Sequence, residues 1–259
     1  MLTEKSGFKK YAPIFSTIIL CFLSGSRAGF FIILVQIIVF IFYTIKDKKY
    51  NKLFVKIFLS LTALITVSIL FFAKPIYQYT YSKVVSFKTD DDVHALSNKS
   101  RFGIQYAMFQ VFLKNPIKGT GYGLQAFESK DLYPEWAVEN NWEFRLKYLN
   151  EEVKSFPPGY NLYLRLLSET GIIGFVLFIF FLLIIFLWCY NKTFKKQGQQ
   201  TIMPLVITIS MVGFAINWMK VDTFRMYFFW LSIVLIILLQ KQSISNDKEE
   251  KNNNLNSSL

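Results

Sequence analysis

A chain of 259 residues has room for one or two soluble domains, but 53% apolar and 18% aromatic residues exclude a wholly water-facing surface. The formal charge is nevertheless +12, from 29 Lys+Arg against 17 Asp+Glu. Two cysteines and one histidine exclude a disulfide scaffold and a zinc site of the usual Cys/His count, and metal-hydrolase readings go with them.

A bilayer core about 30 Å thick takes about 20 apolar residues of helix. Six segments approach that length, at 8–24, 28–45, 53–73, 172–190, 202–219 and 223–240. Small residues and a charge, Ser24-Gly25-Ser26-Arg27-Ala28-Gly29, separate the first from the second, so a tight helical hairpin is predicted there. Lys5, Lys9 and Lys10 ahead of an apolar run suit a signal peptide, but no small-x-small cleavage site follows and a retained span is expected. The sixth segment is short, which predicts a tilted or partly buried helix.

Lysines flank these segments in four clusters: Lys5, Lys9 and Lys10; Lys46, Lys48, Lys49, Lys52 and Lys56; Lys192, Lys195 and Lys196; and Lys241, Lys248 and Lys251. With six spans all four fall on one side, which the positive-inside rule makes the cytoplasm, together with both termini. The segment from Lys74 to Tyr160 then lies outside and holds 11 basic and 10 acidic residues, so nearly all the net charge belongs to the membrane part. A nucleic-acid partner, which requires a basic soluble face, is not expected. The predicted fold is an all-α polytopic membrane protein. Three transmembrane helices occupy 1–73, a large, partly helical extracytoplasmic loop occupies 74–171, and three further transmembrane helices occupy 172–240. A disordered cytoplasmic tail follows in 241–259, since its Asn/Ser/Lys/Glu-rich composition buries nothing. Cys21 and Cys189 fall near opposite membrane faces, too far apart to pair.

Within the loop, Asp90-Asp91-Asp92 with neighbouring His94 reads as a solvated charge run, against a divalent-ion site of the kind nucleotide-sugar transferases use. Apolar residues from Arg101 to Lys114 recur at helical spacing and predict a helix that lies on the membrane surface or packs over the bundle. Asn115-Pro116 ends it. Gly119, Gly121 and Gly123 follow at alternate positions, where successive amides suit an anion and a plain turn is the simpler reading. Residues 124 to 156 carry Trp136, Trp142 and seven acids, which fit sugar stacking or an ordinary external subdomain. Asn161 is placed to cap a helix and Gly171 to end it before the next span.

Three pieces, in this order, resemble the O-antigen ligase and polymerase superfamily of membrane glycosyltransferases. They are Leu23-Ser24-Gly25-Ser26-Arg27-Ala28-Gly29; Arg101 through Asn115-Pro116-Ile117-Lys118-Gly119-Thr120-Gly121-Tyr122-Gly123; and Tyr160-Asn161-Leu162-Tyr163-Leu164 through Ser168-Glu169-Thr170-Gly171-Ile172-Ile173-Gly174. The resemblance covers roughly residues 13 to 190 and corresponds to the C-terminal half of such proteins, with a GT-C-like architecture.

The resemblance implies transfer of a glycan from an undecaprenyl-pyrophosphate carrier to an acceptor hydroxyl at the outer face of the bacterial inner membrane. It implies no metal and no cofactor. The implied partners are the undecaprenyl-pyrophosphate-linked oligosaccharide and membrane lipids, with a chain-length regulator and a flippase as further candidates. Arg27, Arg101, Tyr160 and Glu169 are the expected catalytic residues; Gly119, Gly121, Gly123, Asn161 and Arg225 are expected to bind substrate. An arginine fork suits the departing pyrophosphate, although lipid snorkelling is the simpler use of Arg27, and Asp222 is placed to pair with Arg225. The family often sets histidine where Tyr160 stands. A phenol ordinarily titrates at about 10 and is a poor base at neutral pH, which leaves Glu169 and His94 as candidates for activating the acceptor. Two other readings stay open: a truncated, non-catalytic family member or partner subunit, and a polysaccharide transporter or flippase. The last is disfavoured by spans with almost no charges or breaks beyond Pro204 and Gly213.

Overall fold

The computed structural model describes residues 16–17, 19–20, 23, 27–46, 93–153, 155–195 and 202–256, and no strand occurs among them. The elements are α1 (Arg27–Lys46), α2 (Val93–Lys114), α3 (Gln125–Glu128), a 3-10 turn (Lys130–Leu132), α4 (Glu135–Val138), a π turn (Phe144–Tyr148), α5 (Leu162–Tyr190) with a π turn (Asn191–Lys195), α6 (Ile202–Asn217) and α7 (Tyr227–Asn256). The chain divides into two compact units, one of Met1–Lys46, Ile184–Asn217 and Phe224–Leu259, the other of Asp47–Leu183 and Trp218–Thr223.

Two helices are long and apolar enough to cross a membrane, Leu162–Phe194 and Tyr227–Ser245, and two shorter apolar helices run over Phe31–Tyr43 and Ile202–Asn217. A soluble core helix passes the same length test but is buried, whereas only 17% and 11% of these two spans is covered. Ile173, Val176, Leu177, Phe180 and Ile184 all point outward, which is consistent with a lipid surrounding. The expected span at 53–73, most of that at 8–24, Cys21 and the Asp90-Asp91-Asp92 run lie outside the described residues.

In the first unit α1 and α6 pack through a polar point in an apolar seam. Gln36 Nε2 donates to Ile209 O at 3.1 Å, and Gly213 lets the Gln36 amide approach so closely that a β-carbon there would collide with it. Thr208 Oγ1 donates to Pro204 O at 2.8 Å, so the 2.9 Å contact with Thr193 takes its proton from Thr193. Pro204 sits in the first turn of α6, where its missing N–H costs nothing. Helix α7 runs past 240 to Asn256, and residues 241–256 hold no glycine or proline to break it.

The second unit is built around α2. Ile104, Met108 and Phe144 form its fully buried centre, with Tyr133, Val138, Tyr148, Leu149, Tyr160 and Leu164 packed around them. Tyr133 and Tyr148 meet Phe144 edge-on at 4.9 and 5.5 Å, the arrangement ring quadrupoles favour. Helix α4 lies against α2 because Gly103 leaves no side chain to oppose Ala137. Buried Asn141 fastens this contact, donating to Ser100 Oγ at 2.8 Å and Ala137 O at 2.9 Å. Helix α2 begins at Val93, eight residues before the expected start at Arg101, and stops at Lys114 as Asn115-Pro116 requires.

Candidate functional site

The site is organised by the break in α5. Gly171 has φ 64 and ψ −168 inside an otherwise continuous helix, a conformation that L side chains rarely adopt. In an unbroken helix Ile172 N–H would donate to Ser168 O and the next amide to Glu169 O. Here Ile172 N–H turns to Pro116 O at 2.8 Å, while Ser168 O accepts from Thr120 N–H at 3.0 Å and Glu169 O from Gly121 N–H at 2.9 Å. The glycine-rich loop therefore replaces the hydrogen bonds that the break removes. Backbone approach is so close that a β-carbon at Gly119 would strike Glu169 O, and one at Gly171 would strike Ile117 O.

This geometry gives the amides of residues 119 to 121 a use other than the anticipated anion. Gly119 N–H donates to Asn115 O at 3.0 Å, and the next two reach α5 as just described. Gly123, with φ 82, faces open space. Asn161 takes the cap position foreseen for it, its Oδ1 accepting from Leu164 N–H at 3.2 Å. Gly171 interrupts the helix where an end was expected, and α5 resumes at once.

One turn into α5 stands a residue absent from the expected set. Arg165 Nε donates to Glu169 Oε1 at 3.0 Å, and its Nη1 reaches Asp222 O at 3.1 Å and Asp222 Oδ2 at 3.5 Å. The same Asp222 Oδ2 accepts from Gly159 N–H at 2.7 Å, and the guanidinium lies 5.5 Å from the centre of the Tyr122 ring. Arg165 thus joins three stretches of chain: the glycine loop, the turn before α5 and the 218–223 segment. The Glu169 side chain is only 1% exposed and its Oε2 has no hydrogen-bond partner. A buried carboxylate without its cation is costly, so Arg165 and Glu169 form a mutually dependent pair. The signal for this was the four-residue spacing of Arg165 and Glu169. Asp222, 57 residues away, was readable only as a neighbour of Arg225, and its carboxylate turns to Arg165 and Gly159 instead.

The turn entering α5 places Tyr160 at φ 54, an uncommon conformation for a residue with a β-carbon. Gln105 Nε2 donates to its carbonyl at 3.4 Å, and the Arg101 guanidinium sits over its ring at 5.1 Å. Arg101 itself is exposed on α2. Tyr148 Oη donates to Glu143 Oε1 at 3.2 Å. Burial raises its phenol above the usual range first, and Tyr160 and Glu143 raise it further, so it stays a protonated donor.

Seven of the nine expected residues thus fall in one unit: Arg101, Tyr160, Asn161, Glu169, Gly119, Gly121 and, at the loop's open edge, Gly123. Arg27, the first residue of α1, and exposed Arg225 belong to the other unit. His94 lies in the first turn of α2. No group of three or more His, Cys, Asp or Glu that suits a metal ion occurs among the described residues.

Against known proteins, the family model described as O-antigen ligase matches residues 12–179. Neither a curated protein nor a solved structure matches the chain.

Proposed function

The chain belongs to the O-antigen ligase family, and from that premise we propose that it transfers a glycan from an undecaprenyl-pyrophosphate carrier to an acceptor hydroxyl at the outer face of the bacterial inner membrane. In this transfer the bond from the anomeric carbon to pyrophosphate breaks as the acceptor oxygen bonds the same carbon and gives up its proton. Negative charge develops on the leaving pyrophosphate, and meeting it is the main electrostatic task.

The observation that carries the reading is Arg101. Its guanidinium is exposed, lies over the Tyr160 ring at 5.1 Å, and has no ion-pair partner among the described residues. A planar fork held on an aromatic face suits a phosphate ligand. Arg27 is the second candidate for the pyrophosphate and Arg225 the third. Tyr160 is assigned to hydrogen-bonding a sugar. Glu169, buried against Arg165, is assigned to holding that arginine and not to contacting the acceptor. Asn161, Gly119 and Gly121 support the site through backbone positioning, and Gly123 borders it.

The test uses full-length protein in proteoliposomes with a lipid-linked oligosaccharide. Glycan chain growth or transfer, with release of the polyprenyl pyrophosphate, is expected, and Arg101→Ala and Arg27→Ala should abolish it. Unchanged product from both variants would sink the proposal. Growth of the chain identifies a polymerase; transfer to a separate acceptor identifies a ligase. A non-catalytic relative is the second reading, favoured by Tyr160 at the position where histidine is frequent. No turnover by the parent, with turnover gained in Tyr160→His, would establish it.

A further inference from the structure

Helix α2 is apolar on two opposite faces. Gly103, Ile104, Ala107, Met108 and Val111 are buried within the unit. On the other side Phe102, Tyr106, Phe109 and Leu113 are 61%, 46%, 42% and 52% exposed. At 100° per residue these four fall within a sector of roughly 60°. An external subdomain bathed in water gains nothing from a second apolar stripe of that kind, since each such side chain forgoes the gain of burial.

We propose that this outer face of α2 contacts lipid, with the helix lying in the outer interface of the bilayer. Three observations select lipid as the occupant. The first is continuity: Ile172 N–H donates to Pro116 O at 2.8 Å, and Gly119 lies backbone to backbone against Glu169 and Gly171. The C-terminal end of α2 is thereby fastened to the residue where the outward apolar face of α5 begins, with Ile172, Ile173, Val176 and Leu177 exposed. Ile117, 61% exposed, stands at the junction. The second is charge: Val93–Lys114 contains Lys99, Arg101 and Lys114 and no acid, and Lys118 follows, which complements anionic headgroups. The third is chemistry, since aromatic rings flanked by cations are the side chains that favour the headgroup boundary. The proposal rests on the membrane embedding of the chain and not on glycan transfer, so either can fail alone.

Nitroxides attached singly at Phe102→Cys, Tyr106→Cys, Phe109→Cys and Leu113→Cys test it, in a Cys21→Ala/Cys189→Ala full-length chain. The protein is held in nanodiscs of phosphatidylethanolamine and phosphatidylglycerol. Glu135→Cys and Glu139→Cys, both exposed, are the aqueous references. Oxygen accessibility at the four stripe positions should exceed that to a water-soluble nickel chelate several-fold, and the order should reverse at 135 and 139. Nickel access equal to the references would overturn the proposal in favour of a water-facing helix. Low access to both reagents would overturn it in favour of a protein cover, a second copy included. A Phe109→Trp chain, which keeps both native cysteines, provides a second reading in vesicles containing brominated phosphatidylcholine. Fluorescence loss beyond that of the parent is expected, and loss equal to the parent's would overturn the proposal.

Discussion

Arg101 and Arg165 are the same residue type in the same compact unit, and their surroundings give them opposite employment. Arg165 is three-quarters covered, with one carboxylate on Nε, another beside Nη1 and a ring on its flank. Arg101 projects from α2 with Tyr160 as its recorded partner. An arginine whose charge is already matched twice has little left for a ligand; one held only by an aromatic face keeps its donors available. The site therefore pairs a clamp, which fixes the backbone, with a presented cation.

The strongest way to break the comparison is at the clamp. Arg165→Ala leaves Glu169 buried without its cation and should destabilise the protein by about 3 kcal/mol, the low end of the range because Arg165 is partly exposed. Thermal unfolding of the full chain in detergent measures this. Pairing Arg165→Leu with Glu169→Gln should recover much of the loss; a double variant as weak as the sum of its parts would deny the coupling.

Next in size is the break in α5. Gly171→Ala combines a left-handed φ with a collision against Ile117 O and should cost about 2 kcal/mol or more, whereas Gly123→Ala, strained but facing open space, should cost about 1. Equal losses at the two positions would mean that the loop is not locked to the helix. Arg101→Ala comes below both, at about 0.5–1 kcal/mol for an exposed cation–π contact, while activity is lost. A large stability loss there would make Arg101 a second clamp.

A pH-dependent effect concerns Tyr148. Its phenol titrates higher folded than unfolded, so its contribution is complete below the ordinary phenol range and declines as the unfolded form ionises above a pH of about 10. Tyr148→Phe should cost about 1 kcal/mol through the lost bond to Glu143 and flatten the fall in stability above that pH. An unchanged slope would remove Tyr148 from the account.

Much of the architecture was legible along the chain because its causes are local. Apolar runs announce helices, Asn161 announces a cap, Asn115-Pro116 announces an end, and each requires only residues within a turn or two. The three resembling pieces were readable on the same terms, and the family match bears them out. Expectation was inexact where the local signal began late: apolar spacing placed the start of α2 at Arg101, and the helix begins at Val93.

What only the tertiary structure decided involves distant partners. Periodicity showed that α2 is apolar, but the approach of Ala137 and Phe144 chose which face turns inward. Three alternate glycines suited an anion equally well until the break at Gly171 left carbonyls that needed donors, and the loop supplied them. Asp222 had an obvious neighbour in Arg225, yet its carboxylate serves Arg165 and Gly159 across 57 and 63 residues. The sequence alone announced apolar helices of membrane-spanning length, since apolar length is a property of neighbouring residues. Which arginine is consumed as a clamp and which is left exposed depends on segments meeting in space, and that is set only when the chain has folded.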